Sequence, residues 1–159
     1  MPIVAGSRRA RDFFFARLPY GRLRTYLVAN YFHQVVRWQQ EANVEKLLPQ
    51  VHPEAEVRMW DLGIHHGRPG WAAALNEWHA AFQDASIEMH EFVDPGNAMV
   101  LCAGLQGGRG AGSGVMVERE LAWVVTVAKG MAVGGRMYNT RAEALEGMGV
   151  SAVMSAGPG

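Results

Sequence analysis

A glycine-rich stretch between two long apolar segments is the feature that most restricts how this chain can fold. Residues 104–115 read GLQGGRGAGSGV and contain six glycines. The segment AMVLCAGLQ runs into the glycines and the segment VMVERELAWVVTV follows them, and each is typical of a β-strand. Glycines in such a setting supply the positive φ angles of a hairpin turn and the bulges that curl a sheet. The sequence therefore predicts a long two-stranded hairpin with Arg109 at its exposed tip.

The same stretch does not match a phosphate-binding loop. The P-loop pattern requires a lysine that is missing here, and the Gly-x-Gly-x-x-Gly pattern has Ser113 in place of its last glycine. A phosphate loop also leads from a strand into a helix, whereas strand patterns lie on both sides of this one. We therefore interpret the glycines as a structural feature of a sheet and not as a nucleotide site.

Three helices are predicted ahead of the strands. From Leu27 onwards, apolar residues recur at helical spacing in LVANYFHQVVRWQQ, and a short helix follows Asn43, whose side chain can cap it. A third helix begins near Pro69 and continues to about Gln83. The remaining patterns indicate consecutive strands and a short closing helical turn. The order predicts an α+β domain in which three N-terminal helices pack on a strongly curved antiparallel sheet.

Charge is unevenly distributed along the 159 residues. Residues 1–24 contain six arginines and one aspartate and carry a charge of +5, so the remaining residues carry −5. A nucleic-acid surface needs a basic patch on the folded body, and an acidic body predicts no nucleic-acid partner. No stretch approaches the ~18 apolar residues of a membrane span, so we expect no membrane partner and a cytoplasmic location.

Composition divides the chain into three regions. Residues 1–26 form a basic N-terminal arm that we expect to be disordered, and residues 27–150 form the domain. Residues 151–159 are rich in glycine, alanine and serine and predict a flexible C-terminal tail. Cys102 lies in an apolar strand pattern and is expected to be a buried, inert thiol.

Several short motifs, in this order, resemble the SnoaL-like branch of the nuclear transport factor 2-like superfamily over about residues 27–150. They are NVEKLLPQVHPEAEVRMW, HHGRPGWAAALNEWHAAFQD, the glycine hairpin ending in SGVMVE, VVTVAKG and YNTRAEALEGMGV. The resemblance implies a cystatin-like cone with an apolar pocket for a small hydrophobic molecule, no cofactor, and a homodimer through the outer sheet face. Because the superfamily contains cyclases, isomerases, hydrolases and non-enzymes, the fold does not assign a reaction.

Two reactions of the superfamily lack their usual residues here. Ketosteroid isomerase chemistry needs a carboxylate base, a tyrosine and a second acid, and alignment places these positions near Met59, Val35 and Trp123. Epoxide opening uses an Arg-x-Asp motif on one strand, whereas residues 119–121 read Arg-Glu-Leu. Neither reaction is therefore expected.

Polyketide cyclisation needs a single group that moves protons, and one loop contains three candidates. Asp61, His65 and His66 lie in the segment DLGIHHGR, and histidine carries protons near neutral pH. Polar residues ahead of a helix are also commonly solvated or capping groups, so catalysis and binding without catalysis both stay open. No metal site is predicted, because the sequence contains no HExxH or CxxC spacing.

Aromatic and methionine side chains on the predicted elements would line the pocket and suit a flat apolar ligand. Most of them would serve equally well as core residues. Arg119 is predicted to face inward, where it would pair with a carboxylate or an anionic ligand. The ligand-binding candidates are Tyr31, Met59, Trp60, Met89, Arg119, Trp123, Met137 and Tyr138.

Overall fold

The α+β architecture predicted from the sequence is confirmed by the computed structural model. The structure describes residues 8–59, 63–96 and 98–150. Within these residues it contains five α-helices, a short 3-10 helix at Leu48–Gln50, and a six-stranded sheet. The elements are α1 (Arg8–Ala16), α2 (Arg22–Gln40), α3 (Val44–Leu47), β1 (Val51–Arg58), β2 (Ile64–His66), α4 (Gly67–Ala81), β3 (Ser86–Val93), β4 (Met99–Arg109), β5 (Met116–Ala128), β6 (Met131–Tyr138) and α5 (Arg141–Gly147).

The sheet has the strand order β2-β1-β6-β5-β4-β3. All neighbouring pairs are antiparallel except β1 and β6, which run parallel. The sequence predicted an antiparallel sheet, and this pair corrects that prediction. Parallel neighbours require a long crossover between them, and here the chain from β2 to β5 separates the two strands. No local hairpin therefore sets their relative direction.

The glycine-rich hairpin is confirmed as the connection between β4 and β5. All eleven residues of β4 pair with β5, and Arg109 is exposed at the end of the strand as predicted. Gly104 is required by a close approach, because a Cβ there would overlap the carbonyl oxygen of Glu88 on β3. The register of β3 against β4 shifts at the same point, between Met89 and Glu91. Such a shift bends the sheet.

Both faces of the central strands are buried. On β5, Leu121 and Trp123 belong to the core formed with α2 and α4, on the inner face of the sheet. The alternate residues Ala122 and Val124 belong to a second core on the outer face, which includes Leu145 of α5. This alternation follows from the period of two along a strand. The closing helix α5 therefore covers part of the outer sheet face.

Cys102 is completely buried on the inner face of β4. Burial among apolar side chains raises the pKa of its thiol well above the ordinary value. The thiol is therefore not a nucleophile at neutral pH, as the sequence predicted.

The N-terminal helix α1 packs against the body of the protein. Arg11 is buried, and its Nε donates to the carbonyl oxygen of Gly130, 2.9 Å away, at the turn between β5 and β6. The ring of Phe15 meets the rings of Tyr31 and Phe32 on α2 edge-on, with centroid separations of 5.9 and 6.1 Å. Edge-on ring pairs of this kind add to the energy of apolar burial.

This packing differs from the disordered basic arm that the sequence predicted for residues 1–26. Residues 8–26 lie in α1, in a short connection and at the start of α2, because their arginine and aromatic side chains find partners on distant parts of the chain. Residues 1–7 and the predicted tail at residues 151–159 lie outside the described residues. Among the helices that the structure describes, none combines the length and apolarity needed to cross a membrane.

Arg24 on α2 joins three parts of the fold. Its Nε lies 2.8 Å from Oδ2 of Asp94 beyond β3, and its terminal nitrogens donate to the carbonyl oxygens of Leu18 and Phe15 at 2.9 and 3.1 Å. The hydrogen bond to Asp94 raises the pKa of Arg24 above its ordinary value. Only 6% of the Arg24 side chain is exposed. The guanidinium therefore holds the end of α1 against α2 and β3 in a setting with little water.

Candidate functional site

A cavity lies between α4 and the inner face of the sheet, and α4 forms one of its walls. Trp71, Ala74, Leu75 and Trp78 line it from this helix. Their spacing of three and four residues puts them on one helical face. All four are at least nine-tenths buried. The helix thus presents two indole rings and two aliphatic side chains to the cavity.

The opposite wall comes from five strands. Val57 of β1, with Met59 just after it, and Met137 of β6 lie on one side, Leu121 and Trp123 contribute from β5, and Ile87 of β3 and Gln106 of β4 complete the wall. Trp123 and Met137 are partners in the β5–β6 register, so they point to the same face of the sheet. Apart from Gln106, this wall is formed by apolar and aromatic side chains.

Two amides are the polar side chains at the cavity. Gln39 at the end of α2 and Gln106 on β4 are 7% and 5% exposed, and both line it. Among the described residues that line the cavity, none has an ionisable side chain. Its volume is about 50 Å³, room for roughly three or four water molecules. In this form the cavity has room for a small molecule.

A smaller cavity of about 20 Å³ lies between α2 and the inner face of the sheet. Trp71 and Trp123 line both cavities and meet edge-on at a centroid separation of 6.2 Å, so this pair separates the two spaces. Tyr31 lines this smaller cavity, and its hydroxyl donates to Oε1 of Gln50 over 3.2 Å. Burial raises the pKa of Tyr31 to about 12, and the phenol is therefore neutral at physiological pH.

The structure brings four of the predicted ligand-binding residues to these cavities. Met59, Trp123 and Met137 line the larger cavity, and Tyr31 lines the smaller one. Met89 packs against the same core from β3 but is not among the residues that line either cavity. Trp60 follows Met59 and lies outside the described residues.

Arg119 and Tyr138 are placed away from the cavities, which corrects two predictions. Arg119 lies near the start of β5, where the strand extends beyond the buried region, and its exposed guanidinium donates to Oδ1 of Asn139 at 3.2 Å. Tyr138 follows the cavity residue Met137 and so faces the opposite side of the sheet. There it packs with the outer core, and the Arg136 guanidinium lies 4.8 Å from its ring centroid.

The two predicted histidines do not form one catalytic cluster. They are neighbours on β2, and strand alternation sends their side chains to opposite faces. His65 is mostly buried beneath α4, with Nε2 3.8 Å from Oε2 of Glu77. His66 is 74% exposed, with Nδ1 3.8 Å from Oε2 of Glu56. Neither histidine lines a cavity, and the third candidate, Asp61, lies outside the described residues.

The sequence analysis missed the two glutamines, although each carried a signal. Gln106 stands at an inward position of a strand that is otherwise apolar, and Gln39 continues the apolar stripe of α2 at helical spacing from Val35. A polar residue at a core position indicates either an internal hydrogen bond or a functional surface. The described residues contain no cluster of three or more potential metal ligands.

Comparison with known proteins identifies relatives by structure and not by sequence. No protein-family model matches the chain, and no curated protein sequence matches it. Many solved structures do match in fold.

Three of these structures show the range of the similarity. A Catenulispora acidiphila protein with a ketosteroid isomerase-like fold, crystallised with trimethylamine, superposes with a TM-score of 0.62 at 12% identity, covering 77% of this chain and 94% of its own. A Jannaschia sp. CCS1 protein named for its likeness to SnoaL-like polyketide cyclases has a TM-score of 0.59 at 17% identity, covering 80% and 92%. A nuclear transport factor 2-like protein of Burkholderia xenovorans has a TM-score of 0.57 at 24% identity, covering 72% and 92%.

These likenesses confirm at the level of fold the resemblance that the sequence motifs indicated. Identities below a quarter do not carry a reaction or a ligand from one protein to another. The chain therefore has the α+β fold shared by the nuclear transport factor 2-like, SnoaL-like and ketosteroid isomerase-like proteins.

Proposed function

We propose that this protein binds a small, uncharged and largely apolar molecule in the cavity between α4 and the inner face of the sheet. The observation that carries the proposal is the composition of the lining. Apolar and aromatic side chains form both walls, two amides add polar contacts, and the described lining has no ionisable group. A charged ligand would lose its hydration in such a site without gaining a counter-charge.

Binding without acid–base catalysis fits this lining better than a cyclase, isomerase or hydrolase. Those reactions need a group that moves a proton within hydrogen-bond reach of the substrate. His65 and His66 do not line the cavity, and the buried phenol of Tyr31 is engaged with Gln50 behind the Trp71–Trp123 pair. The two histidines are therefore assigned no catalytic role in the proposal.

The fold neighbours are consistent with a site for small molecules. The Catenulispora acidiphila protein was crystallised in complex with trimethylamine. That molecule is of a size suited to the 50 Å³ cavity, whereas a polycyclic molecule would require the lining to rearrange. The proposal therefore concerns ligands with about four non-hydrogen atoms, or a terminal group of that size on a longer molecule.

Ligand-dependent stabilisation tests the proposal. Acetone or its isostere 2-methylpropene, at ten times its dissociation constant, is expected to add about 1.4 kcal/mol to the free energy of unfolding. For a domain of this size this corresponds to a rise in Tm of about 3–6 °C. If neither compound changes Tm or any protein resonance up to its solubility limit, the binding proposal is wrong.

A larger side chain on α4 is expected to fill part of the cavity and thereby to weaken ligand binding and the stabilisation that depends on it. The substitution Ala74→Leu adds three carbons at a lining position, so ligand affinity is expected to fall about tenfold or more, which is ~1.4 kcal/mol. The matched control is Ala73→Leu, the same change at an exposed neighbouring position of the same helix. Titration followed by NMR measures both variants. Equal affinities in the two variants would place the ligand elsewhere.

We also propose that the protein forms a homodimer through the outer sheet face, as the family resemblance implies. Helix α5 packs on the outer face of β4 and β5 and on Tyr138 at the end of β6, whereas the outer face of β1 and of the preceding part of β6 has exposed residues. Exposed Glu56, Arg58 and Arg136 there offer opposite charges to a second copy. Light scattering at micromolar concentration is expected to give twice the mass of one chain, and a monomeric mass would refute the dimer.

A further inference from the structure

Two tryptophans that line the cavity, Trp78 and Trp123, each have a buried indole N–H group without a hydrogen-bond partner among the described residues. Trp78 belongs to α4 and Trp123 to β5, so the two groups come from facing walls. The residues are 9% and 2% exposed. Neither Nε1 atom has an acceptor among the residues that the structure describes. Buried donors are almost always paired in folded proteins, and an unpaired one calls for a specific explanation.

The ring of Trp123 is held in place by its neighbours. Trp71 packs edge-on against it, and Gly135 on β6 leaves the space that its indole needs. A Cβ at position 135 would lie 3.0 Å from Nε1 of Trp123 and 3.1 Å from Cη2 of Trp71. On the other wall, His79 meets the ring of Trp78 edge-on at a centroid separation of 4.7 Å. Both donors are thus packed in position before any ligand arrives, which favours binding.

An indole N–H donates and cannot accept a hydrogen bond. A ligand that satisfies Trp78 and Trp123 must therefore present acceptor atoms. The rest of the described lining is apolar apart from the amides of Gln39 and Gln106, and it offers no counter-charge to an ionised ligand. An uncharged carbonyl compound meets both conditions, because its oxygen accepts hydrogen bonds while its carbon skeleton fills apolar space.

Resting on the proposed binding function, we infer that Trp78 and Trp123 are ligand-binding residues that select an uncharged carbonyl compound, a ketone or an ester, by donating hydrogen bonds to its oxygen. The selection acts through the loss that an apolar isostere suffers when it leaves both donors unpaired. The volume of the cavity limits the size of the ligand, and the two indole N–H groups select for a hydrogen-bond acceptor on it.

Two isosteres separate this inference from binding in general. Acetone and 2-methylpropene have the same shape and differ in one group, a carbonyl oxygen in place of a methylene. In the native protein we expect the ketone to bind about five to ten times more tightly. In ¹H–¹⁵N spectra the ketone is expected to move the indole resonances of Trp78 and Trp123 downfield, and the hydrocarbon is not. The resonances are assigned through NOEs, so this measurement needs no variant.

Single substitutions then test the donors one at a time. Trp78→Phe and Trp123→Phe each remove an N–H together with some volume, and the added space affects both ligands. The ratio of the two affinities isolates the hydrogen bond, and it is expected to fall towards one in both variants. Trp38→Phe is the control, because Trp38 is a buried tryptophan of the same core that lines neither of the two core cavities. It is expected to leave the ratio unchanged.

The outcomes distinguish the two proposals. Equal affinities for both compounds, with the two indole resonances unmoved by the ketone, would overturn the inference and leave the binding function in place. Binding of neither compound would overturn the binding function itself, and the inference with it. Isopropylammonium, a cation of the same size, is expected not to bind, and an affinity equal to that of acetone would also contradict the selection for an uncharged ligand.

Discussion

Replacing Arg24 with alanine is expected to lower the free energy of unfolding by about 3–5 kcal/mol, the usual cost of removing one partner of a buried ion pair. The change leaves Asp94 with little water and without its cation, and it removes the donors to the carbonyl oxygens of Leu18 and Phe15. It therefore removes the hydrogen bonds that hold the end of α1 against α2, in addition to the salt bridge with Asp94. Urea denaturation followed by tryptophan fluorescence measures the loss.

A second arginine on the same helix serves as the matched control. Arg37 faces Glu41 across 3.8 Å, and its side chain is 75% exposed. An exposed pair of this type contributes about 0–1 kcal/mol, so Arg37→Ala is expected to change stability by no more than that. Similar losses in the two variants would show that the buried contacts of Arg24 contribute nothing beyond those of a surface charge.

Adding one methyl group at Gly135 is expected to cost about 1–3 kcal/mol, because Gly135→Ala overpacks the core. The new carbon would press on the Trp71–Trp123 pair from 3.0–3.1 Å. Both rings are more than nine-tenths buried, so a shift of either one disturbs its neighbours. The same variant is expected to weaken acetone binding, since Trp123 lines the cavity.

The adjacent glycine provides the comparison. Gly134 lies next to Gly135 on β6 and points to the other face, where the nearest atom to an added Cβ would be 3.7 Å away. Gly134→Ala is therefore expected to change stability by less than about 0.5 kcal/mol. Thermal and urea unfolding of the pair isolates the contact with the two tryptophans. Equal free energies of unfolding for Gly135→Ala and Gly134→Ala would contradict the prediction, because the methyl group at position 135 would then fit against Trp71 and Trp123 without destabilising the protein.

Local features of the fold could be predicted because their causes are local. Asn43 was expected to cap a helix, and its side chain accepts from the backbone nitrogen of Lys46 at 3.2 Å. The glycine hairpin and the burial of Cys102 are also as expected. Each of these depends on a few neighbouring residues or on a repeat of fixed period.

The candidate site was predicted only in part, for the same reason. Strand alternation put Arg119 and Trp123 on one face, predicted to be the inner one, but it did not show how far along β5 the helices would cover the sheet. Arg119 has the same facing as Trp123, and it is exposed because the cover ends before it. Tyr138 was assigned to the wrong face because the sequence does not give the phase of the alternation along β6.

By itself, the sequence determined the order of the elements, the α+β class, the glycine hairpin and the apolar character of the cavity walls, because spacing and glycine content are properties of short segments. Only the tertiary structure decided the parallel pairing of β1 with β6, the burial of Arg24 against Asp94, and the placement of Trp78 and Trp123 on facing walls of one cavity. Each of these depends on which distant surfaces meet. The glycines that first resembled a phosphate loop instead belong to the curved sheet that forms the cavity wall.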